Sequence, residues 1–195
     1  MTTELLAGAP GPVVERGADS ALAGRHGRVP AWAPLALVGS VILAAAPVVL
    51  WICSVAHPLP VVHEVALFVH LASLLVGFGA VLSVDWVAML FILGKRTFHE
   101  MMRAADNAAV PVWAGYAGLV LSGLLLEPDL SSPLTIAKLA LVLVIGLNGV
   151  VALGLHRALG TGGADLRWMA LGGMCATISQ LGWWGATLVG FLNAH

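Results

Sequence analysis

Ionisable side chains inside long apolar runs are the residues of this chain that could do chemistry. His70 and Asp85 lie within residues 65–93, a run that is otherwise almost entirely apolar, and Lys138 lies a few residues inside a second such run. A charge-capable group is costly in hydrocarbon, so such a residue marks a functional site by default. Neutral imidazole is a common ligand of iron and copper, so His70 is the first candidate for a cofactor or metal ligand.

The depth expected for these side chains sorts them into two levels. At ~1.5 Å rise per residue, His70 lies roughly 9 Å inside its run, and Lys138 lies at a similar depth from the same side. His63 lies on nearly the same helix face as His70, further out, and is a second metal candidate. Other polar residues expected on this side are His57, Glu64, Glu127, Asp129 and His195. Deeper candidates for buried polar or proton-carrying roles are Asp85, Asn148 and Tyr116.

Each of these residues also has a purely structural interpretation, which stays open at this point. His70 could hydrogen-bond to a neighbouring helix, and Asp85 and Asn148 could join helices together. Lys138 could extend its ammonium group to the membrane surface or pair with Glu127 or Asp129.

Composition places these residues in a membrane. The chain has 195 residues, of which 59% are hydrophobic and 10% charged, whereas soluble domains carry about 25% charged residues. The formal net charge of -1 gives no electrostatic case for binding nucleic acid. Two cysteines, Cys53 and Cys175, are too few to predict a disulfide framework or a cysteine-rich metal site.

Five apolar runs are long enough to cross a bilayer, and they occupy residues 31–52, 65–93, 109–126, 134–155 and 168–192 approximately. We therefore predict an all-α fold, an integral membrane bundle of five transmembrane helices in one domain, residues 31–195. Residues 1–30 are rich in Gly, Ala and Pro and are expected to form a disordered tail. The first run is longer than the roughly 7–15 apolar residues of a secretory signal, so we expect it to be retained.

The distribution of basic residues predicts the orientation of the bundle. With the amino terminus in the cytoplasm, all but Lys138 of the nine Lys and Arg residues fall on the cytoplasmic side. This alternation follows the positive-inside rule and leaves the carboxy terminus outside the cytoplasm. The site of His70 and Lys138 then lies near the outer surface.

Rows of small residues predict close helix packing. Ala114, Gly118 and Ser122 are spaced by four, as are Ser73 and Gly77. The same spacing relates Gly172 to Ala176, and Gly182 to Ala186 and Gly190. Small residues at this spacing let two helix backbones approach closely in lipid.

Two segments resemble known membrane-protein families. Residues 70–79, HLASLLVGFG, resemble the His-containing helix of copper resistance protein D-like proteins and of HemJ-type protoporphyrinogen oxidases. Residues 138–144, KLALVLV, resemble the Lys- and Leu-rich helix that both groups carry two spans later. The resemblance covers spans two to four and implies haem binding through His70 and Lys138. Asn148 stands in the region where the HemJ type has a further His. The chain as a whole is similar to integral membrane proteins of high-GC bacteria.

The sequence therefore favours a multi-pass protein of the inner (cytoplasmic) membrane with redox or cofactor-handling function. We expect b-type haem or copper near the outer side, with His70 and Lys138 as cofactor-binding residues and His70 and His63 as metal candidates. Two alternatives are open: a non-catalytic subunit or scaffold of a membrane complex, and a small proton-coupled transporter that uses Asp85 and Asn148. The expected partners are the lipid bilayer and either further copies of the chain or other membrane subunits, and whether the protein is an enzyme stays open.

Overall fold

The computed structural model describes residues 32–162 and 165–193, which form five α-helices and no β-strand. The helices are α1 (Ala33–Val55), α2 (Pro60–Ile92), α3 (Phe98–Gly123), α4 (Pro133–Gly162) and α5 (Leu166–Leu192). The all-α fold class is thus confirmed. The tail predicted for residues 1–30 lies outside the described residues.

Local sequence signals explain where these helices begin and end. Proline occupies the first turn of α1 and of α2, where its missing N–H removes no helix hydrogen bond. Asp165 is the N-cap of α5, and its carboxylate accepts a hydrogen bond from the backbone N–H of Arg167. After α2 the chain turns at Gly94, whose φ of 68° is strained for any residue with a side chain.

The start of α3 differs from the sequence prediction. The predicted third span begins at about residue 109, but the helix already begins at Phe98. Thr97 and Glu100 form a reciprocal capping box, in which the Thr97 hydroxyl accepts from the Glu100 N–H and the Glu100 carboxylate accepts from the Thr97 N–H. Pro111 consequently lies in the helix interior, where it gives up one backbone hydrogen bond.

The helices run alternately up and down and pack mainly as two antiparallel pairs. One pair is α2 with α3, and the other is α4 with α5. Helix α1 packs against α4 and makes no backbone contact with α2, the next helix in the chain. We call the end of the bundle that holds residues 56–59 and 124–132 the Glu127 end, and the end that holds residues 93–97 the Arg96 end.

Small residues set the closest helix contact, between α2 and α3. A Cβ atom at Gly115 would lie 2.5 Å from the backbone nitrogen of Gly77 and 2.7 Å from the carbonyl oxygen of Ser73. Gly118 lies directly against the Ser73 side chain. Ser73, Gly77, Gly118 and Ser122 therefore pack as predicted, but Ala114 is exposed and its neighbour Gly115 is buried in its place.

One apolar cluster joins the two helix pairs. Phe78 and Val81 of α2 pack with Ile145 of α4 and Trp183 of α5. The rings of Phe78 and Trp183 are stacked with centroids 5.7 Å apart, and Trp183 is only 1% exposed. Burial of these side chains is the main attraction between the pairs, because backbone contacts between them are sparse.

Large apolar side chains cover the outside of all five helices, as expected of a protein surrounded by lipid. Within the described residues, three helical segments are long and apolar enough to cross a membrane: Ala33–Val55, Pro60–Ile92 and Pro133–Leu159. The other two helices are more polar. The first turns of α3 carry His99, Glu100, Arg103 and Asp106, and α5 contains Gln180 and several glycines.

Candidate functional site

His70 is held on α2 against the end of α3. Its ring Nδ1 lies 3.0 Å from the hydroxyl oxygen of Ser122. Gly123 leaves room for the ring, since a Cβ atom there would lie 3.7 Å from His70 Cε1. Ser122 is 4% exposed, so this hydrogen bond is shielded from water by the packed helices.

The hydrogen bonds of Ser122 determine the protonation of the His70 ring. The Ser122 hydroxyl donates its single hydrogen to the carbonyl oxygen of Gly118, at 2.5 Å. Its oxygen can then only accept from His70, so Nδ1 carries the proton. Nε2 is left as the basic nitrogen, the atom that a metal-ligating histidine offers when its other nitrogen is hydrogen-bonded.

Lys138 lies on α4 within electrostatic reach of both His70 and Cys53. Its side chain passes Gly190 of α5, where a Cβ atom would lie 3.9 Å from Lys138 Cδ. Within the described ranges, no carboxylate lies within 4.0 Å of its ammonium group, so the expected pairing with Glu127 or Asp129 does not form. Lys138 therefore brings a basic side chain to the region that holds His70 of α2 and Cys53 of α1.

A cavity of about 510 Å³ opens at the Glu127 end above this region. Its lining includes the buried Cys53, His57, and the carboxylates of Glu127 and Asp129. His57 Nδ1 lies 3.2 Å from Glu127 Oε1 and ties the two loops together. Hydrogen bonds from the Ser131 hydroxyl and backbone lower the pKa of Asp129, so its carboxyl group stays ionised.

His63, the second metal candidate, does not join His70. It precedes His70 on α2 by two turns, which corresponds to roughly 10 Å along the axis. His195 lies outside the described residues. In the part of the chain that the structure describes, no three His, Cys, Asp or Glu side chains come close enough to hold a metal ion.

Asp85 lies nearer the Arg96 end and is paired with a residue that the sequence did not single out. The side-chain amide of Gln180 donates a hydrogen bond to the Asp85 carboxylate. This bond connects α2 with α5, and therefore one helix pair with the other. It gives the half-buried carboxyl group a hydrogen-bond partner that carries no charge.

Asn148 and Tyr116, the other deep polar candidates, do not meet Asp85. The Asn148 side chain donates a 2.8 Å hydrogen bond to the backbone carbonyl of Cys175 and so joins α4 to α5. Tyr116 lies with its hydroxyl against Gly146 and its ring edge-to-face with Trp113. The structural interpretation of Asn148 is the one that these contacts favour.

Sequence reasoning missed Ser122, Cys53 and Gln180 as partners of the polar candidates. The available signal was modest: Ser122 was noted only as a small residue in a packing row, and Cys53 as one of two isolated cysteines. Gln180 is a strongly polar residue inside an apolar run, which is the same signal that marks Asp85 as a candidate.

Comparison of the chain with protein-family models, with curated proteins and with solved structures gives no match. The resemblance of residues 70–79 and 138–144 to copper resistance protein D-like and HemJ-type proteins stays a prediction.

Proposed function

We propose that the chain is an inner-membrane protein in which all five helices cross the bilayer, with a cytoplasmic amino terminus. The up-and-down packing supports this, because α3 lies antiparallel beside α2, and α5 beside α4. A helix that packs along a membrane-spanning partner occupies the same layer. Its polar residues can then face the bundle or the ends of the helix rather than lipid.

Within that bundle, we propose a redox or cofactor-handling function with b-type haem bound at His70. The observation that carries this proposal is the hydrogen-bond chain from His70 Nδ1 to Ser122 and on to Gly118, which leaves Nε2 as the basic nitrogen. A hydrogen bond to the nitrogen that does not bind the metal orients a ligating imidazole and raises its basicity.

The donor set fits haem better than copper. A metal bound only by protein usually needs three or four ligands, and the described residues hold no such group. Haem brings four nitrogen ligands of its own and needs only one or two from the protein. His70 alone could therefore hold haem, whereas a copper ion would require His70 and further donors close to it.

Bound haem would supply one-electron redox chemistry. The residues of the chain would bind and orient it. His70 Nε2 would bind the iron, Ser122 would hold the imidazole ring in one orientation, and the Lys138 ammonium group would offer a positive charge to a haem carboxylate. The apolar helix surfaces would keep water away from the iron ligand.

The test is the absorption of detergent-purified variants of His70, with His63 as the matched control on the same helix. We expect His70→Ala to lose the haem Soret band and His63→Ala to keep it. Ser122→Ala should retain haem but bind it about 10–100-fold more weakly, which is the usual effect of removing the hydrogen bond that orients a metal-binding histidine. The melting temperature of each variant reports whether it has folded.

An unchanged Soret band in folded His70→Ala would refute the assignment of the ligand. Loss of the band in His63→Ala, with retention in His70→Ala, would move the ligand to the other histidine. If Ser122→Ala keeps both the Soret wavelength and the haem affinity of the wild type, the hydrogen bond from His70 to Ser122 has no part in haem binding.

The two alternatives make different predictions. A proton-coupled transporter would depend on Asp85, and Asp85→Asn would stop its flux while leaving a haem spectrum intact. In a non-catalytic subunit or scaffold, the same substitution would change only stability. The bond from Gln180 to Asp85 favours this joining role for Asp85, because the carboxylate already has a partner that links two helices.

A further inference from the structure

A second cavity lies at the opposite end of the bundle, away from His70. It has a volume of about 340 Å³ and opens between the end of α2 and the first turns of α3. The lining residues are Val87, Arg96, Glu100, Arg103, Ala104 and Asn107. Nothing in the proposed haem site uses these residues.

The charges in this cavity leave an excess of positive charge. Glu100 is fully occupied, because one of its oxygens accepts from Arg96 at 2.6 Å and the other caps the helix at Thr97. These bonds lower the pKa of Glu100 to about 2, so it stays ionised and offsets one arginine only. The second arginine, Arg103, has no carboxylate within 4.0 Å among the described residues.

Arg103 is held in place by a hydrogen bond to a histidine side chain. One of its nitrogens lies 2.8 Å from His99 Nε2. Because the guanidinium group can only donate, Nε2 must accept, and His99 does not carry a proton there. The bond therefore fixes the side chain without neutralising it, and the other N–H groups of the guanidinium remain available to an anion.

Two apolar residues, Val87 of α2 and Ala104 of α3, complete the lining beside these charged groups. Val87 lies on α2 between the capping loop and the centre of the helix, and its neighbour Trp86 is 65% exposed. Met89 and Ile92 are also exposed on this part of α2. A charged region at the end of a spanning helix, next to an exposed apolar surface, matches a molecule with an anionic head and a hydrocarbon chain.

We propose that this cavity, with Arg103 and Arg96 at its base, binds the phosphate of an anionic phospholipid headgroup. The planar guanidinium of Arg103 would hold phosphate oxygens through two parallel N–H bonds, and the acyl chain would lie along Val87 and Trp86. The proposal rests on α2 crossing a membrane, and it is independent of the cofactor at His70.

The test is a titration of the full chain in detergent, followed by native mass spectrometry, with phosphatidylglycerol and phosphatidylcholine as probes. We expect the wild type to bind phosphatidylglycerol more tightly. Arg103→Gln should reduce this preference about fivefold, the usual contribution of one juxtamembrane basic residue. Arg103→Lys should keep part of the preference, because it retains the charge but loses the planar fork.

Arg167→Gln is the matched control, since Arg167 lies in the first turn of α5 and does not line the cavity. It should keep the full preference for phosphatidylglycerol. Equal binding of the two lipids by the wild type would overturn the proposal. An equal loss of the preference for phosphatidylglycerol in Arg103→Gln and Arg167→Gln would also overturn it. Displacement of the lipid by an equal concentration of inorganic phosphate would overturn the assignment to a lipid and leave a site for free phosphate. The melting temperature of Arg103→Gln must match that of the wild type for the comparison to hold.

Discussion

Replacing Gly115 by alanine is expected to force α2 and α3 apart. The new Cβ atom would lie 2.5 Å from the backbone nitrogen of Gly77 and 2.7 Å from the carbonyl oxygen of Ser73, whereas ordinary contacts are 3.4 to 4 Å. Both neighbours are backbone atoms, which cannot rotate away as a side chain can. The helices must therefore separate by roughly 1 Å at this point, which costs about 1–3 kcal/mol when a core is overpacked in this way.

Gly79 provides a matched control one helix away. It lies on α2 close to Gly77, but a Cβ atom there would meet nothing within 4 Å. Alanine at this position should be neutral or stabilise the protein by up to about 1 kcal/mol, because alanine favours a helix more than glycine does. Both variants add one methyl group to a glycine, so only the contact at Gly115 distinguishes them.

The assay is thermal unfolding of each variant in the same detergent. A loss of about 2 kcal/mol lowers the melting temperature of a chain of this size by about 4–8 °C. We expect this fall for Gly115→Ala and no fall for Gly79→Ala. Equal melting temperatures of the two variants would refute the inference that the α2–α3 contact is made through the Gly115 backbone.

Three further predictions concern single side chains and are also read as melting temperatures. Trp183→Ala should cost about 3–5 kcal/mol because the ring is buried against Phe78, whereas Trp184→Ala, at a ring that is 56% exposed, should cost no more than about 1.5 kcal/mol. Asp85→Ala should lower the free energy of unfolding by about 1–3 kcal/mol, because it leaves the side-chain amide of Gln180 unpaired. Asp85→Asn should lower it less, because it keeps an acceptor for that amide. The lowered pKa of Glu100 means that its cap stabilises the fold above the ordinary pKa of 4.5 and that this contribution is lost as pH falls towards about 2. Glu100→Gln should therefore show a smaller change in melting temperature over that range.

The helical class of the fold could be predicted from sequence because long apolar runs leave few alternatives. Residues 65–92 of α2 carry only two ionisable positions, His70 and Asp85, in an otherwise mostly apolar run, and such a segment can satisfy its backbone in lipid only as a helix. The start of α3 was harder to predict, because its first turns are polar and look like a loop. The spacing of Thr97 and Glu100 is typical of a capping box and indicates a helix start, but the charged residues around it are equally typical of a loop.

The candidate site could be predicted only in part. Counting residues inward from the helix ends predicts His70 and Lys138 at the same depth. The two side chains are close enough to interact electrostatically. The partners could not be predicted in the same way, because the rotation of each helix about its axis decides which residues face one another. A one-residue difference of this kind buries Gly115 in place of Ala114.

The absorption spectrum of the detergent-purified wild-type chain, oxidised and then reduced with dithionite, tests the proposed cofactor most directly. Metal analysis is made on the same sample. The proposal predicts a Soret band, sharp α and β bands after reduction, and iron at up to one atom per chain. A chain that stays colourless and free of iron after haem has been supplied during purification would contradict it, and copper without a Soret band would favour the other metal.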